Sequence, residues 1–153
     1  MGEGYDSFEA ACEVIEHLFR ISRDVENLDP EHDRERWQAL IAEATALFSP
    51  EVELVTRDGT LYGPERLFSD FNTQSKDFKV HYDQLKFVDA GDGRVVGPCR
   101  MVLKAREGDD YMTSWPAGVY RVKDGKIVFF EGYPDGNKAM RDLGLDPSMA
   151  RER

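Results

Sequence analysis

A reactive site in this chain would have to be drawn from three histidines and two cysteines: His17, His32, His81, Cys12 and Cys99. His81 and Asp83 stand two apart in a segment of alternating character, where a carboxylate orienting an imidazole would make a general base. Two residues along a strand are about 6.6 Å apart, so this spacing predicts an exposed pair and not a working dyad. Glu13 and His17 stand four apart on a helix, close enough to share a metal ion. No second Glu/His pair completes such a site, and no metal is expected. Cys12 on a helix stripe and Cys99 in a strand read as buried free thiols, which suit a reducing compartment. Gly91-Asp92-Gly93 with Gly97 has the wrong spacing for a dinucleotide loop, and it joins two strands. The sequence has no phosphate-binding loop and no Gly-x-Ser-x-Gly elbow. No cofactor is expected, and no catalytic set is assigned.

The elements that would position these residues are well marked. Phe8, Ala11, Cys12, Ile15, Phe19 and Ser22 recur at three- and four-residue steps and predict an amphipathic helix ending near Asn27. Asp6 and Glu9 fit a capping box at its start. Asp29 and Pro30 open a second helix with Trp37, Leu40, Ile41, Ala44, Leu47 and Phe48 on its apolar side, stopped by Ser49-Pro50. From residue 51 the period changes to two. Asp58-Gly59 predicts a type I′ hairpin turn, and Gly63-Pro64 opens a short helix carrying Leu67, Phe68 and Phe71. Strands follow at about 78–89, 94–106, 110–123 and 126–133, joined by short turns that predict an antiparallel meander. Asp135 caps a last helix ending at Gly144. Residues 1–145 form one domain, and 146–153 read as a polar, frayed tail.

A straight strand over 94–106 would be about 40 Å long, more than a chain of this size accommodates. Gly97-Pro98 and Pro116-Ala117-Gly118 sit where bends would relieve this, since Pro and Gly inside strands mark edges, bulges or kinks. The expectation is an α+β fold: a curved antiparallel sheet, a half-barrel cone, with the N-terminal helices packed over its concave face.

Composition narrows the function classes. The 153 residues carry a net charge of −10, and residues 1–60 hold 15 acidic against 5 basic side chains, so that segment carries the whole excess. Nucleic acid would be repelled there, and none is expected as a partner. No run of about 18 apolar residues exists, and no membrane is expected as a partner. Met1-Gly2-Glu3-Gly4-Tyr5-Asp6 has neither a basic nor an apolar leader region, which predicts a cytoplasmic protein.

Ala46-Leu47-Phe48-Ser49-Pro50-Glu51-Val52-Glu53-Leu54, the turn Asp58-Gly59-Thr60 running to Gly63, and the ending Asp124-Gly125-Lys126-Ile127-Val128 followed by Glu131-Gly132-Tyr133-Pro134-Asp135 carry a resemblance. The chain resembles the SnoaL-like branch of the nuclear-transport-factor-2-like superfamily over residues 7–145. The resemblance implies a homodimer formed through the sheet. It also names possible chemistries, since relatives include ketosteroid isomerase, polyketide cyclases, limonene epoxide hydrolase and scytalone dehydratase. The positions of the two acids of ketosteroid isomerase fall here on Thr56 and Gly118. The Arg-x-Asp pattern of the epoxide hydrolases is not supplied by Arg100-Met101-Val102 or Arg121-Val122-Lys123.

Alternation then selects the interior wall. Cys99, Met101, Leu103 and Ala105 share one strand face, and Arg100, Lys104 and Arg106 the other. By the resemblance Ser114, Pro116, Gly118 and Tyr120 face inward too, with Phe130. The expected ligand pocket comprises Trp37, Ile41, Thr56, Met101, Leu103, Ser114, Tyr120 and Phe130, bordered by His17. Such a wall suits a small apolar molecule oriented by one or two hydrogen bonds. Two other readings stand beside a binding domain: an isomerase, cyclase or dehydratase using Tyr120 with a His, and a dimerisation or adaptor domain whose cone is filled. Trp115, Val119 and Phe129 are the expected outward anchors of a homodimer.

Overall fold

The computed structural model describes residues 4–153; residues 1–3, half of the stretch read for a leader, lie outside the described residues. The first apolar stripe makes helix α1 (Phe8–Val25) and buries Ala11, Cys12, Ile15, Ile21 and Val25. Its cap is Ser7, whose hydroxyl accepts the Ala10 N–H at 3.2 Å, and not the Asp6/Glu9 box. Asp6 is engaged elsewhere. Its carboxylate accepts the N–H groups of Asp124 and Gly125 at 2.9 and 2.8 Å. Those two residues have φ of 52° and 76°, the left-handed pair of a type I′ turn. Helix α2 (Arg34–Thr45) begins later than Asp29-Pro30 suggests, because Asp29 accepts from the N–H groups of Glu31 and His32 and closes a separate turn.

The remaining elements are β1 (Phe48–Thr56), β2 (Gly59–Tyr62), α3 (Glu65–Ser75), β3 (Phe78–Asp83), β4 (Val88–Asp89), β5 (Val95–Pro98), β6 (Arg100–Ala105), β7 (Tyr111–Ser114), β8 (Ala117–Lys123), β9 (Lys126–Tyr133) and α4 (Gly136–Asp142). They form a six-stranded sheet in the order β2-β1-β9-β8-β5-β4 and a three-stranded sheet β3-β6-β7. Strands joined by short turns pair antiparallel, as expected. The exception is β1 with β9, which pair parallel, with Leu54 opposite Phe130. Short turns dictate antiparallel pairing only between consecutive strands, and these two are separated by seven others.

The long ribbon bends where proline and glycine predicted. Residues 94–106 break at Cys99 into β5 and β6, and 110–123 break at Trp115-Pro116 into β7 and β8. Pro98 and Pro116 have no N–H for the ladder, and the Cys99 N–H donates to the Pro116 carbonyl at 3.0 Å across the corner. The ribbon thereby leaves one sheet and enters the other. Helix α1 packs against β3, β5 and β8 and so spans both sheets, while α2 packs on α1 and α3 on β3. No helix among the described residues is long and apolar enough to cross a membrane.

The opposite face of the six-stranded sheet is covered by the C-terminal segment. Val96 and Val119 pack with Ala139 and Met140, flanked by Leu143, Leu145 and Ala150. Val119 is 2% exposed, so it is not the outward anchor the sequence suggested. The tail is docked and not frayed. Phe87 and Arg151 exchange both backbone hydrogen bonds, at 2.8 and 3.0 Å, and Arg153 reaches Glu9 and Glu16 at 3.2 and 3.3 Å. It covers the chain just before edge strand β4, a sheet margin that would otherwise offer unpaired backbone groups.

Candidate functional site

Between the helices and the two sheets lies a cavity of about 400 Å³. Helix α1 contributes Leu18, Phe19, Ile21, Ser22 and Val25, and α2 contributes Ile41 and Ala44. Leu67, Phe68 and Phe71 come from α3, and Phe48 from β1. The sheets and the bend supply Tyr82, Gly97, Cys99, Met101, Pro116, Ala117, Gly118, Tyr120, Phe130, Gly132, Tyr133 and Pro134. Among the described residues this wall has no Asp, Glu, Lys, Arg or His. Its polar side-chain groups are the hydroxyls of Ser22, Tyr82 and Tyr120 and the thiol of Cys99, while the Tyr133 ring packs on the other face of the sheet beside Lys138.

Tyr120 is held by the strand beneath it. Gly118 and Gly97 face each other across β8 and β5, and the ring lies back over both. A Cβ at position 118 would stand 2.6 Å from the Tyr120 hydroxyl and 2.7 Å from the ring, so only glycine leaves room for this rotamer. Phe130 flanks the ring at 5.1 Å between centroids. Burial pushes the Tyr120 phenol far above its ordinary value and the Tyr82 phenol up to about 12. Cys99 is likewise raised to about 12 by burial, which leaves a protonated, weakly nucleophilic thiol.

Of the residues the sequence proposed, Ile41, Met101, Tyr120 and Phe130 line the cavity together. Five do not. Trp37 is buried between the helices, donating its indole N–H to Asn72 Oδ1 at 3.0 Å and stacking on Phe71, which takes its place on the wall. Thr56 sits at the hairpin tip, where its hydroxyl donates to the Gly59 carbonyl at 2.7 Å and accepts the Asp58 N–H at 3.2 Å. This hairpin is not the type I′ turn read from Asp58-Gly59. Its central residues are Arg57 and Asp58, and only Gly59 beside them has positive φ. Leu103 and Ser114 keep the parity expected of them, but β6 and β7 carry them past the bend: Leu103 is buried opposite Val80, and Ser114 pairs with Met101. His17 lies 3.5 Å from Glu43 on the polar edge between α1 and α2.

The wall residues that sequence reasoning did not assign come mainly from α1 and α3. Their apolar stripes were visible, but which stripe would face a void and which would fill a core depends on the angle at which each helix docks. Tyr82 was readable from parity, lying on the Phe78/Val80 side of β3.

The His81–Asp83 pair is closer than strand spacing alone implied. His81 Nε2 lies 3.0 Å from Asp83 Oδ2, and Nδ1 lies 2.7 Å from Glu26 Oε1 at the end of α1. Asp83 also binds Arg100, its cross-strand partner, through both carboxylate oxygens. The Arg100 guanidinium, helped by His81, holds the Asp83 carboxyl at about 2. This group stands on the side of β3 away from Tyr82 and does not line the cavity.

No protein-family model and no curated protein matches the sequence. Solved structures do match it. A candidate isomerase from Bacillus subtilis is 13% identical with a TM-score of 0.64, covering 92% of this chain and 97% of its own. An NTF2-like protein from Anabaena variabilis is 16% identical with a TM-score of 0.61, covering 86% and 94%. A candidate SnoaL-like polyketide cyclase from Jannaschia sp. CCS1 is 12% identical with a TM-score of 0.56, covering 96% and 98%. At these identities the likeness is one of architecture: the chain has the NTF2-like, SnoaL-like α+β fold.

Proposed function

We propose that this chain is a binding domain that holds a small, largely apolar molecule inside the cone without turning it over. The observation that carries the reading is the cavity itself, about 400 Å³ lined by aromatic and aliphatic side chains with no ionisable acid or imidazole among them. Apolar cavities of about 150 Å³ are enough for a benzene ring, so this one suits a bicyclic or larger ligand. Burying about 200 Å² of apolar ligand surface at roughly 25 cal/mol per Å² gives about 5 kcal/mol before association costs. Even with no association cost that is a Kd of only about 0.2 mM, so packing and polar contacts must add to it.

The void speaks against an adaptor with a filled cone. The likeness to candidate cyclases and isomerases is a likeness of fold, and proton-transfer chemistry at neutral pH needs a positioned base. Tyr120 has no histidine beside it on the wall, since His81 faces away from the cavity. We further propose a homodimer in the cytoplasm. Its anchors would be Trp115 and Tyr111, 56% and 70% exposed, whereas Val119 is withdrawn beneath α4 and Phe129 packs against the same cluster. Two buried free cysteines suit a reducing compartment.

Equilibrium dialysis against naphthalene tests the binding reading. We expect saturable 1:1 uptake by the wild-type protein and its loss in Ala44→Phe, which places a ring in the void. Uptake that is absent, or equal in the two proteins, would refute it.

A further inference from the structure

The cavity has a polar feature that an apolar wall does not require. Tyr82 comes from the three-stranded sheet and Tyr120 from the six-stranded one, and both line the cavity together with Cys99 at the bend. Tyr120 is 3% exposed. Neither hydroxyl has a hydrogen-bond partner among the described residues, although buried tyrosines usually find one. Two hydroxyls without a protein partner, on the wall of one void, are an arrangement that a ligand would complete.

The chemistry of the wall then selects the ligand. Every polar side-chain group facing it is an X–H donor: the two phenols, one serine hydroxyl and one thiol. No side chain there is an acceptor only, and none carries charge. Resting on the binding reading above, we infer that Tyr82 and Tyr120 form a paired donor site for an uncharged ligand carrying a carbonyl or comparable acceptor oxygen. The same wall rejects carboxylates, because an anion there would be desolvated with no cation to offset it. Burial keeps both phenols protonated through the neutral and mildly basic range, so the donors are always present. Gly118 and Gly97 are part of this site, since they let the Tyr120 ring lie flat enough to bring its hydroxyl over the strand.

Three probes of one size test this by equilibrium dialysis at pH 7.5: naphthalene, 2-acetylnaphthalene and 2-naphthoate. The wild-type protein should bind the ketone about tenfold more tightly than the hydrocarbon, as a net hydrogen bond of roughly 1.4 kcal/mol gives. The carboxylate should bind at least about tenfold more weakly than the hydrocarbon. Tyr120→Phe and Tyr82→Phe should each reduce the ratio of ketone to hydrocarbon affinity, and an unchanged ratio in both overturns the donor pair. A cooperative thermal transition like that of the wild-type protein reports that each variant is folded, and either variant alone suffices for the test. Equal affinity for ketone and hydrocarbon in the wild-type protein, or tightest binding of the carboxylate, overturns the donor pair while leaving the apolar binding reading intact. Failure of all three probes to bind overturns both.

Discussion

His81 Nδ1 lies 2.7 Å from Glu26 Oε1, so an imidazole on strand β3 is bonded to the residue that ends helix α1. The residues next to them in sequence, Val25 and Tyr82, both line the cavity. The contact therefore closes the seam between helix and sheet at one side of the void. With Asp83 on the other ring nitrogen and Arg100 beyond it, four side chains from α1, β3 and β6 form one charged chain at this seam.

Glu26 is the main reason the His81 pKa is raised, and Asp83 adds to it against the opposing effect of burial. A raised folded-state pKa means that the stabilisation is complete below the unfolded value of about 6.5 and is lost as pH rises through the folded value. Imidazole NMR titration should place His81 above 6.5, and Glu26→Gln should move it down. Because His81 and Asp83 are partly exposed, the effect on stability is modest, a change of about 2 °C in Tm between pH 6 and pH 9 that His81→Gln abolishes. A His81 that titrates at or below 6.5 contradicts the contact.

Asp83 responds at the other end of the scale. Its carboxyl is held at about 2, so its contribution is present above the unfolded value of about 3.9 and is lost as pH falls toward 2. Arg100→Gln should shift the onset of acid unfolding to higher pH, measured by circular dichroism between pH 5 and pH 2. An unchanged onset would show that the Asp83–Arg100 pair contributes nothing measurable.

Gly118→Ala should be costly and Gly132→Ala mild, although both glycines lie on the cavity wall. At 118 the new methyl meets the Tyr120 ring at 2.7 Å, whereas at 132 it meets Phe130 at an ordinary 3.6 Å. Overpacking of the first kind costs about 1–3 kcal/mol. Thermal denaturation should show Tm falling by several degrees for Gly118→Ala and by less than about 2 °C for Gly132→Ala. Similar losses for the two variants would mean that the Tyr120 ring is not fixed over Gly118.

These relationships also mark how far the residues were readable in advance. The helices were visible as stripes and the ribbon's corner as Gly97-Pro98 and Pro116, because periodicity and missing N–H groups are local properties. The face of β6 followed from parity and that of β8 from the family resemblance, which is why Met101 and Tyr120 were placed on the wall. Neither says how far along a strand a cavity extends, so Leu103 and Ser114 were placed there as well. Trp37 and Thr56 were misplaced because their polar atoms have private partners, Asn72 and the Gly59 turn, that no spacing rule reveals. The pairing of β1 with β9 and the docking of the tail join the ends of the chain, where sequence separation hides contact.

The docked tail makes a prediction of its own. Removing residues 150–153 deletes both backbone bonds between Phe87 and Arg151 and the Arg153 contacts with α1. Hydrogen exchange at the Phe87 amide should accelerate at least about tenfold, while exchange at Val119 beneath α4 changes little. No acceleration at Phe87 would mean that the tail is frayed in solution.

The central claim is that the cone holds an apolar guest, and a crystal grown with 2-bromonaphthalene tests it most directly. Anomalous scattering locates the bromine directly, with no assumption about how the guest is oriented. The account predicts one strong peak inside the cavity, within van der Waals distance of Phe68, Tyr120 and Phe130. A bromine found only on the outer surface, with those side chains collapsed together and the void closed, would contradict it.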